Sequence, residues 1–152
     1  MIEPNDNILR GALDGAHVVA IVGLSPNPAR PSYQVAQFWQ GWGARIVPVN
    51  PGHAGELILG EQVWPDLAAI PAQTAVDTLD IFRRSEAVPD IVDQALVHLP
   101  QLAVIWMQLG IRHPQAAGRA RARGLLVIED RCPKIEAARL WFPGQPPTNY
   151  EV

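Results

Sequence analysis

Arginine is the residue type best suited to anion binding in this chain. Among its 12 lysine and arginine residues, only Lys134 is a lysine. A guanidinium group can hold a phosphate or a carboxylate through two parallel N–H···O bonds. In a chain of net charge −3, five arginines fall shortly after the ends of predicted strands. They are Arg30, Arg83, Arg84, Arg112 and Arg131. This shared placement predicts an anionic ligand at one edge of the fold.

The segment from Gly23 to Ser32 has features of a phosphate-binding loop. It precedes a predicted helix, whose first backbone N–H groups and positive dipole end favour an anion. Gly23 would let a ligand approach the backbone closely. However, Ser25 and Pro28 stand where the dinucleotide fingerprint G-x-G-x-x-G requires glycine, so that motif is absent.

The end of the second predicted strand bears on the kind of nucleotide. NAD-binding folds usually carry Asp or Glu there, which binds the adenosine ribose, whereas this chain has Val49, Asn50 and Pro51. NAD is therefore disfavoured. A small NADP-binding oxidoreductase or redox-sensing domain stays open as an alternative, because NADP sites use a basic neighbour instead of the acid.

The side chains that could catalyse a reaction do not form a complete set. Asp77 and Asp80 are three residues apart on a predicted strand, which directs them to opposite faces and argues against a catalytic carboxylate pair. Cys132 stands at a predicted helix start, where the dipole would lower the pKa of its thiol. We favour a small buried packing residue over a reactive thiol there. We therefore expect no catalytic site, no metal site and no enzyme activity.

Five apolar runs rich in β-branched residues predict the strands that position these residues. Helical patterns separate most of the runs, which favours parallel strands joined by right-handed crossovers. The expected fold is α/β, a Rossmann-like doubly wound parallel sheet within three α/β/α layers. The order 3-2-1-4-5 is compatible with the sequence, which does not fix it. The runs are His17–Leu24, Arg45–Val49, Val76–Phe82, Leu102–Trp106 and Leu125–Ile128.

Local signals predict the helix ends and turns between the strands. Gly43 is a natural stop for the helix after the first loop, and Ser85 predicts the N-cap of a later helix. His113, beside a proline, predicts the cap of another. The long connection after the second strand predicts a short extra strand within Leu57–Val63 and a helical turn at Leu67–Ile70.

Length and composition fit one small soluble domain. The 152 residues are 48% hydrophobic and 18% charged, which suffices for a single core. We expect one domain over residues 1–152, with a peripheral helix at Asn5–Leu13 and a peripheral proline-rich tail around the core at about residues 15–140. The acidic balance argues against nucleic-acid and membrane partners. The single cysteine and the absence of a signal-peptide pattern predict a cytoplasmic protein.

Five segments, each at the end of a predicted strand, together resemble a known family. They are VGLSPNPARPSY (22–33), PVNP (48–51), DIFRRSEAVP (80–89), WMQLGIRHP (106–114) and EDRCPKIE (129–136). From about His17 to Leu140 the chain resembles the stand-alone CoA-binding proteins, which are related to the N-terminal domain of the succinyl-CoA synthetase alpha subunit. The resemblance implies a Rossmann-like fold that holds coenzyme A across the strand edge.

The resemblance also implies a set of ligand-lining residues at that edge. Those after the first strand would line the nucleotide and its phosphates, those after the second would continue the wall, and those after the third would flank the adenine or the pantetheine arm. The set is Gly23, Ser25, Arg30, Ser32, Tyr33, Asn50, Pro51, His53, Phe82, Arg83 and Gln108.

The implied activity is the binding of CoA or an acyl-CoA by a non-catalytic module that senses, stores or delivers its ligand. The synthetase relatives carry a phosphohistidine on a second domain and use an ATP-grasp partner, and we expect neither within this chain. Besides the NADP-binding alternative, a CoA-binding subunit that acts with a synthetase partner in trans stays open. A homodimer is also compatible with the sequence.

Overall fold

A computed structural model describes residues 3–144 and contains a five-stranded parallel sheet. The strands along the chain are β1 (Val18–Val22), β2 (Arg45–Val49), β3 (Leu57–Ile58), β4 (Glu61–Gln62), β5 (Thr78–Ile81), β6 (Val104–Met107) and β7 (Leu126–Ile128). β3 and β4 form a separate antiparallel hairpin. The other five strands pair in parallel throughout, which confirms the predicted α/β class.

The strand order is β2-β1-β5-β6-β7, so the order 3-2-1-4-5 is wrong. The third predicted strand, β5, pairs with β1 instead of lying beyond β2. The outer edge of β2 is covered by the long connection that follows it, because Val49 forms an isolated parallel bridge with Trp64. The winding therefore reverses between β1 and β5, and open α/β sheets bind ligands at such a switch point.

Five α-helices within residues 3–144 cover the two faces of the sheet. They are α1 (Asp6–Asp14), α2 (Pro31–Trp42), α3 (Val88–His98), α4 (Pro114–Ala122) and α5 (Pro133–Trp141). The buried residues of α1, α2 and α5 form one core cluster with the sheet, and those of α3 and α4 form a second on the opposite face. The predicted three-layer arrangement is confirmed. None of the helices described is long and apolar enough to cross a membrane.

The first helix contributes to the core, although the sequence indicated a peripheral element. Asn5 caps α1, its side-chain oxygen accepting the Ile8 N–H at 2.9 Å. Leu9 and Leu13 are fully buried in the cluster shared with α2 and α5. The prolines at 146 and 147, in the predicted tail, lie outside the described residues.

One local prediction in the connections is confirmed and another is wrong. The Ile70 N–H donates to Leu67 O at 3.3 Å, which closes a single turn over the predicted range, and a further helical turn follows at Ala72–Thr74. Ser85 does not cap α3, which begins at Val88. The Ser85 hydroxyl instead accepts the Arg112 N–H at 3.1 Å and so ties the loop after β5 to the loop after β6.

Two predicted helix boundaries are confirmed. Gly43 ends α2 in the left-handed conformation at φ +104. His113 caps α4, with its Nδ1 accepting the Ala116 N–H at 3.1 Å.

β7 is an outer strand of the sheet, and a side chain covers part of its backbone. The Leu126 N–H donates to Ala103 O on the inner side, so the next residue, Val127, directs its backbone groups outward. The Arg121 guanidinium donates to Val127 O at 3.0 Å.

Candidate functional site

The candidate site lies where the carboxyl ends of β1 and β5 run side by side. Gly23 follows β1 at φ +88, in a left-handed conformation. Its N–H donates to Val49 O at 2.8 Å, and the Phe82 N–H donates to Val22 O at 2.8 Å. A Cβ atom at position 23 would collide with the carbonyl oxygen of Phe82. The loops after β1 and β5 are therefore in direct contact.

Serine hydroxyls hold the loop between β1 and α2. The Ser25 N–H donates to Ser32 Oγ at 3.0 Å, and the Asn27 N–H donates to Ser25 Oγ at 3.0 Å. Ser32 is buried. These two N–H groups are thus satisfied within the loop, so Ser25 and Ser32 shape it. Tyr33 is half-buried and packs against the core.

Asn50 joins the loops after β1 and β2. Its side-chain amide donates to Leu24 O at 3.0 Å, and its side-chain oxygen accepts the Gly52 N–H at 3.0 Å. These bonds fix the turn that begins at Pro51. His53 ends that turn, and its Nδ1 lies 3.0 Å from a carboxylate oxygen of Glu56.

A cleft of about 290 Å³ opens between the ends of β1 and β2 and the first half of α3. Apolar groups form much of its wall, including Val22, Val49 and Pro51 at the strand ends and Leu67 and Ile91 opposite. His53 is not among its lining residues. The cleft lies at the predicted edge, and its apolar walls suit the packing of a flat ring.

Polar groups also line the cleft. Arg83 belongs to the predicted set, whereas Asp66, Asp90 and Gln94 do not. Gln94 donates to Asp90 at 2.9 Å. Asp90 and Gln94 are one helical turn apart, a spacing that indicates a shared face of α3 but not a ligand. Sequence reasoning therefore missed them.

Two of the five edge arginines are engaged by carboxylates. Arg112 lies 3.2 Å from Asp130, and Arg131 lies 2.9 Å from Glu136. Both also approach Glu3, at 3.9 Å and 3.5 Å respectively. Both arginines therefore form ion pairs between different segments of the protein. Their position after predicted strands did not reveal these pairs.

The remaining edge arginines are more available to a ligand. Arg84 is exposed and lies 3.8 Å from exposed Glu86, a pair of small energetic weight. Arg30 and Arg83 are exposed and form no ion pair within residues 3–144. Arg83 is also close to Gly23, since its Cδ would lie 3.0 Å from a Cβ placed there. Of the five predicted arginines, Arg30 and Arg83 are thus the two that lack an ion-pair partner in the part of the chain that the structure describes.

Two consecutive acids after β7 brace the loop after β6. Buried Glu129 accepts the His113 N–H at 2.9 Å, and Asp130 accepts the Gly110 N–H at 2.6 Å. The Gly110 N–H, followed by the Arg112 guanidinium, lowers the pKa of Asp130. Asp130 also has φ +57, a backbone conformation that few residues other than glycine adopt. Residues that follow β7 thus hold the loop after β6 in place.

A buried carboxyl group lies beneath the edge. Asp80, in β5, is fully buried and accepts the indole N–H of Trp39 at 3.0 Å and the side-chain amide of Gln108 at 2.8 Å. Burial raises the pKa of Asp80 to about 6 despite these bonds. Gln108 is itself buried, so it lies below the edge, unlike the exposed arginines. Asp77 instead accepts the His17 and Val18 N–H groups, so the two acids are not paired.

Cys132 is a buried packing residue, as the favoured sequence interpretation predicted. Its side chain belongs to the core cluster, and burial raises the pKa of the thiol to about 12. The charge of Asp80 adds to that increase. The effect of the α5 dipole is therefore outweighed.

A second depression, of about 400 Å³, lies at the amino-terminal edge of the sheet. Asp14, His17 and Trp42 contribute to its lining, which includes no arginine. An acid without a compensating guanidinium makes this surface less suited to an anionic ligand than the carboxyl edge.

The parallel sheet and its arginine-flanked cleft at the switch point define the protein as a Rossmann-like domain. Residues 17–138 match the CoA binding domain family, and the chain belongs to that family. The family to which the sequence motifs pointed is thereby confirmed.

Individual relatives share the sequence or the fold over most of this chain. The chain is 31% identical to the uncharacterized protein YneT of Bacillus subtilis, over 91% of this chain and 98% of that protein. The solved structure of cell-free ID.343 from Thermus thermophilus has a TM-score of 0.82 and 34% identity, over 90% of this chain and 99% of the other. An acetyl-coenzyme A synthetase of Ca. Korarchaeum cryptofilum shares the fold at 21% identity and a TM-score of 0.60, over 72% of this chain and 25% of that protein.

Proposed function

We propose that this protein binds coenzyme A or an acyl-CoA at the carboxyl edge of its parallel sheet and acts as a binding module without catalysing a reaction. The observation that carries the proposal is that Arg83 lines an apolar cleft and Arg30 lies on the loop after β1 at the same sheet edge, while neither forms an ion pair within residues 3–144. CoA combines a flat purine with several phosphate charges and so matches both features. Membership of the CoA binding domain family supports this ligand over other nucleotides.

The cleft suits the adenine base better than the phosphates. Pro51, Pro65 and Ile91 offer apolar contacts to a ring. Asp66 and Asp90 would repel a phosphate, whereas carboxylate oxygens can accept hydrogen bonds from an exocyclic amino group. We therefore place the base in the cleft and the phosphates outside it, toward Arg30 and Arg83.

The size of the cleft supports this division of the ligand. Ligand pockets span about 300 to 1,000 Å³, so a cleft of about 290 Å³ takes a base and little more. The pantetheine arm then runs across the strand edge past Phe82 toward the loop that contains Gly110. That loop is held by Glu129 and Asp130 and needs little ordering when a ligand arrives.

Titration calorimetry with CoA tests the proposal. Arg30→Ala and Arg83→Ala should each weaken binding by about tenfold, the order expected for a lost hydrogen bond to a charged group. Arg119→Ala is the matched control, because Arg119 is exposed, pairs with Asp93 and lies on α4 away from the edge. Its affinity for CoA should match that of the unaltered protein. No heat and no thermal shift with millimolar CoA would refute the proposal.

The alternatives make different predictions. An NADP-binding domain would change the fluorescence of NADPH on mixing, and no feature of the cleft favours that ligand over CoA. A synthetase partner in trans should co-purify with the chain from its native host, and a homodimer should be visible by light scattering. These two assemblies stay predictions from the sequence.

A further inference from the structure

The buried carboxylate of Asp80 accepts hydrogen bonds from neutral side chains. Its two oxygens accept from Trp39 Nε1 at 3.0 Å and from Gln108 Nε2 at 2.8 Å. Within residues 3–144 no lysine, arginine or histidine forms an ion pair with it. The strand that carries Asp80 leads into Phe82 and Arg83 at the proposed ligand edge. An uncompensated negative charge therefore lies beneath a site proposed for an anion.

Among residues 3–144, Cys132 is a titratable group that interacts electrostatically with Asp80. The register neighbours of Asp80 on β1 and β6 are Ile21 and Trp106, and α2 contributes Trp39. Trp106 Nε1 is a buried N–H without a hydrogen-bond partner. Cys132 lies at the start of α5, and its pKa is raised to about 12. Its thiol therefore stays protonated while Asp80 titrates near pH 6.

The carboxylate is close enough to the edge to sense a bound anion. Asp80 and Arg83 are three positions apart along the chain, a span of roughly 10 Å for extended backbone. Two unit charges at that distance, in a medium of effective dielectric about 20, repel enough to change an equilibrium constant by roughly tenfold. A ligand with several phosphate charges therefore disfavours the ionised form of Asp80.

We propose that Asp80 takes up a proton from solvent when an anionic nucleotide binds at the edge above it, so that ligand binding and protonation of this carboxyl favour each other. The inference rests on the proposed function and adds proton-linked regulation to it. Because coupling is reciprocal, the bound anion favours protonation, and protonation tightens binding. The unfavourable effect of ionised Asp80 on CoA affinity therefore decreases, and the affinity increases, as pH falls through the range in which this group titrates.

Asp80→Asn tests the proposal, because asparagine has the same shape and is neutral at every pH. At about pH 8 this variant should bind CoA roughly tenfold more tightly than the unaltered protein, and at about pH 5 the two affinities should converge. Titration of the CoA phosphates affects both proteins and cancels in the ratio. Structural damage would weaken binding, which is the opposite of the expected change.

Asp14→Asn is the control for the loss of one negative charge, since Asp14 is exposed at the amino-terminal edge. Its affinity ratio should stay near one at both pH values. A ratio for Asp80→Asn that is near one at both pH values, below one, or independent of pH would overturn the inference.

Proton uptake by the unaltered protein gives a second measurement that does not depend on whether the variant folds. Calorimetry near pH 6.5 in buffers of different protonation enthalpy should show net uptake of a fraction of a proton. Dephospho-CoA is the ligand for this experiment, because its pyrophosphate does not titrate in that range. Binding without uptake would reject the role of Asp80 and leave the proposed function intact, whereas no binding of CoA would reject the proposed function itself.

Discussion

Gly23 determines how closely two loops approach at the ligand edge. It combines a left-handed backbone with a position against the Phe82 carbonyl oxygen, and either condition alone disfavours a side chain. The sequence analysis assigned Gly23 to close approach by a ligand. In the structure, the neighbouring loop already makes such an approach, so this glycine has a structural role whatever it binds.

Gly23→Ala should lower the free energy of unfolding by about 3 kcal/mol, because strained φ and a backbone collision add. Gly55→Ala is a matched control: Gly55 has φ +87 but open space where its Cβ would lie. That variant should lose only about 1 kcal/mol. Urea denaturation measures both, and equal losses would show that the contact with Phe82 has no cost.

At the scale of elements, the loop after β6 is positioned by residues that follow β7. Glu129 and Asp130 hold Gly110 and His113 through backbone N–H groups, and Ser85 adds a bond from the loop after β5. Three loops at the carboxyl edge are thus linked to one another. A change in one loop will therefore affect the next.

Asp130→Ala should loosen the loop after β6, because it removes the acceptor of the Gly110 N–H and places alanine at φ +57. Amide hydrogen exchange at Gly110 should become faster, with no change at core amides such as that of Ile105. Asp130→Asn should have a smaller effect, since asparagine retains an acceptor and tolerates this backbone conformation. Similar exchange rates at Gly110 in all three proteins would show that the Asp130 side chain does not hold the loop.

At the scale of the whole molecule, α1 is part of the packed structure. Leu9 and Leu13 join the core cluster of α2 and α5, and Asp6 pairs with Arg139 at 2.9 Å. Residues at the two ends of the described chain thus pack together.

Leu9→Ala should lower the free energy of unfolding by about 3 kcal/mol, as expected when a fully buried leucine leaves a cavity. Ile8→Ala, at a neighbouring position of 42% exposure, should cost less than about 1 kcal/mol. Thermal and chemical denaturation would measure this difference. Equal and small losses would mean that α1 is peripheral after all.

The sequence was sufficient to predict the fold class and the edge at which the loops gather, because apolar runs and the ends of strands are local features. It did not reveal that β5 pairs with β1, since strand pairing depends on contacts between distant residues. For the same reason it did not show that Arg112 and Arg131 are held by acids. Asp80 did leave a signal, a charge between Leu79 and Ile81 in an apolar strand, which indicates a partnered buried group.

The contact between Arg121 and Val127 has a consequence for the behaviour of the protein at high concentration. Outer strands with free backbone groups can recruit strands from other molecules, which leads to aggregation. The guanidinium donates to the outward carbonyl in the middle of β7 and so occupies an acceptor that an added strand would need. This single side chain therefore helps to keep the sheet from extending into neighbouring copies.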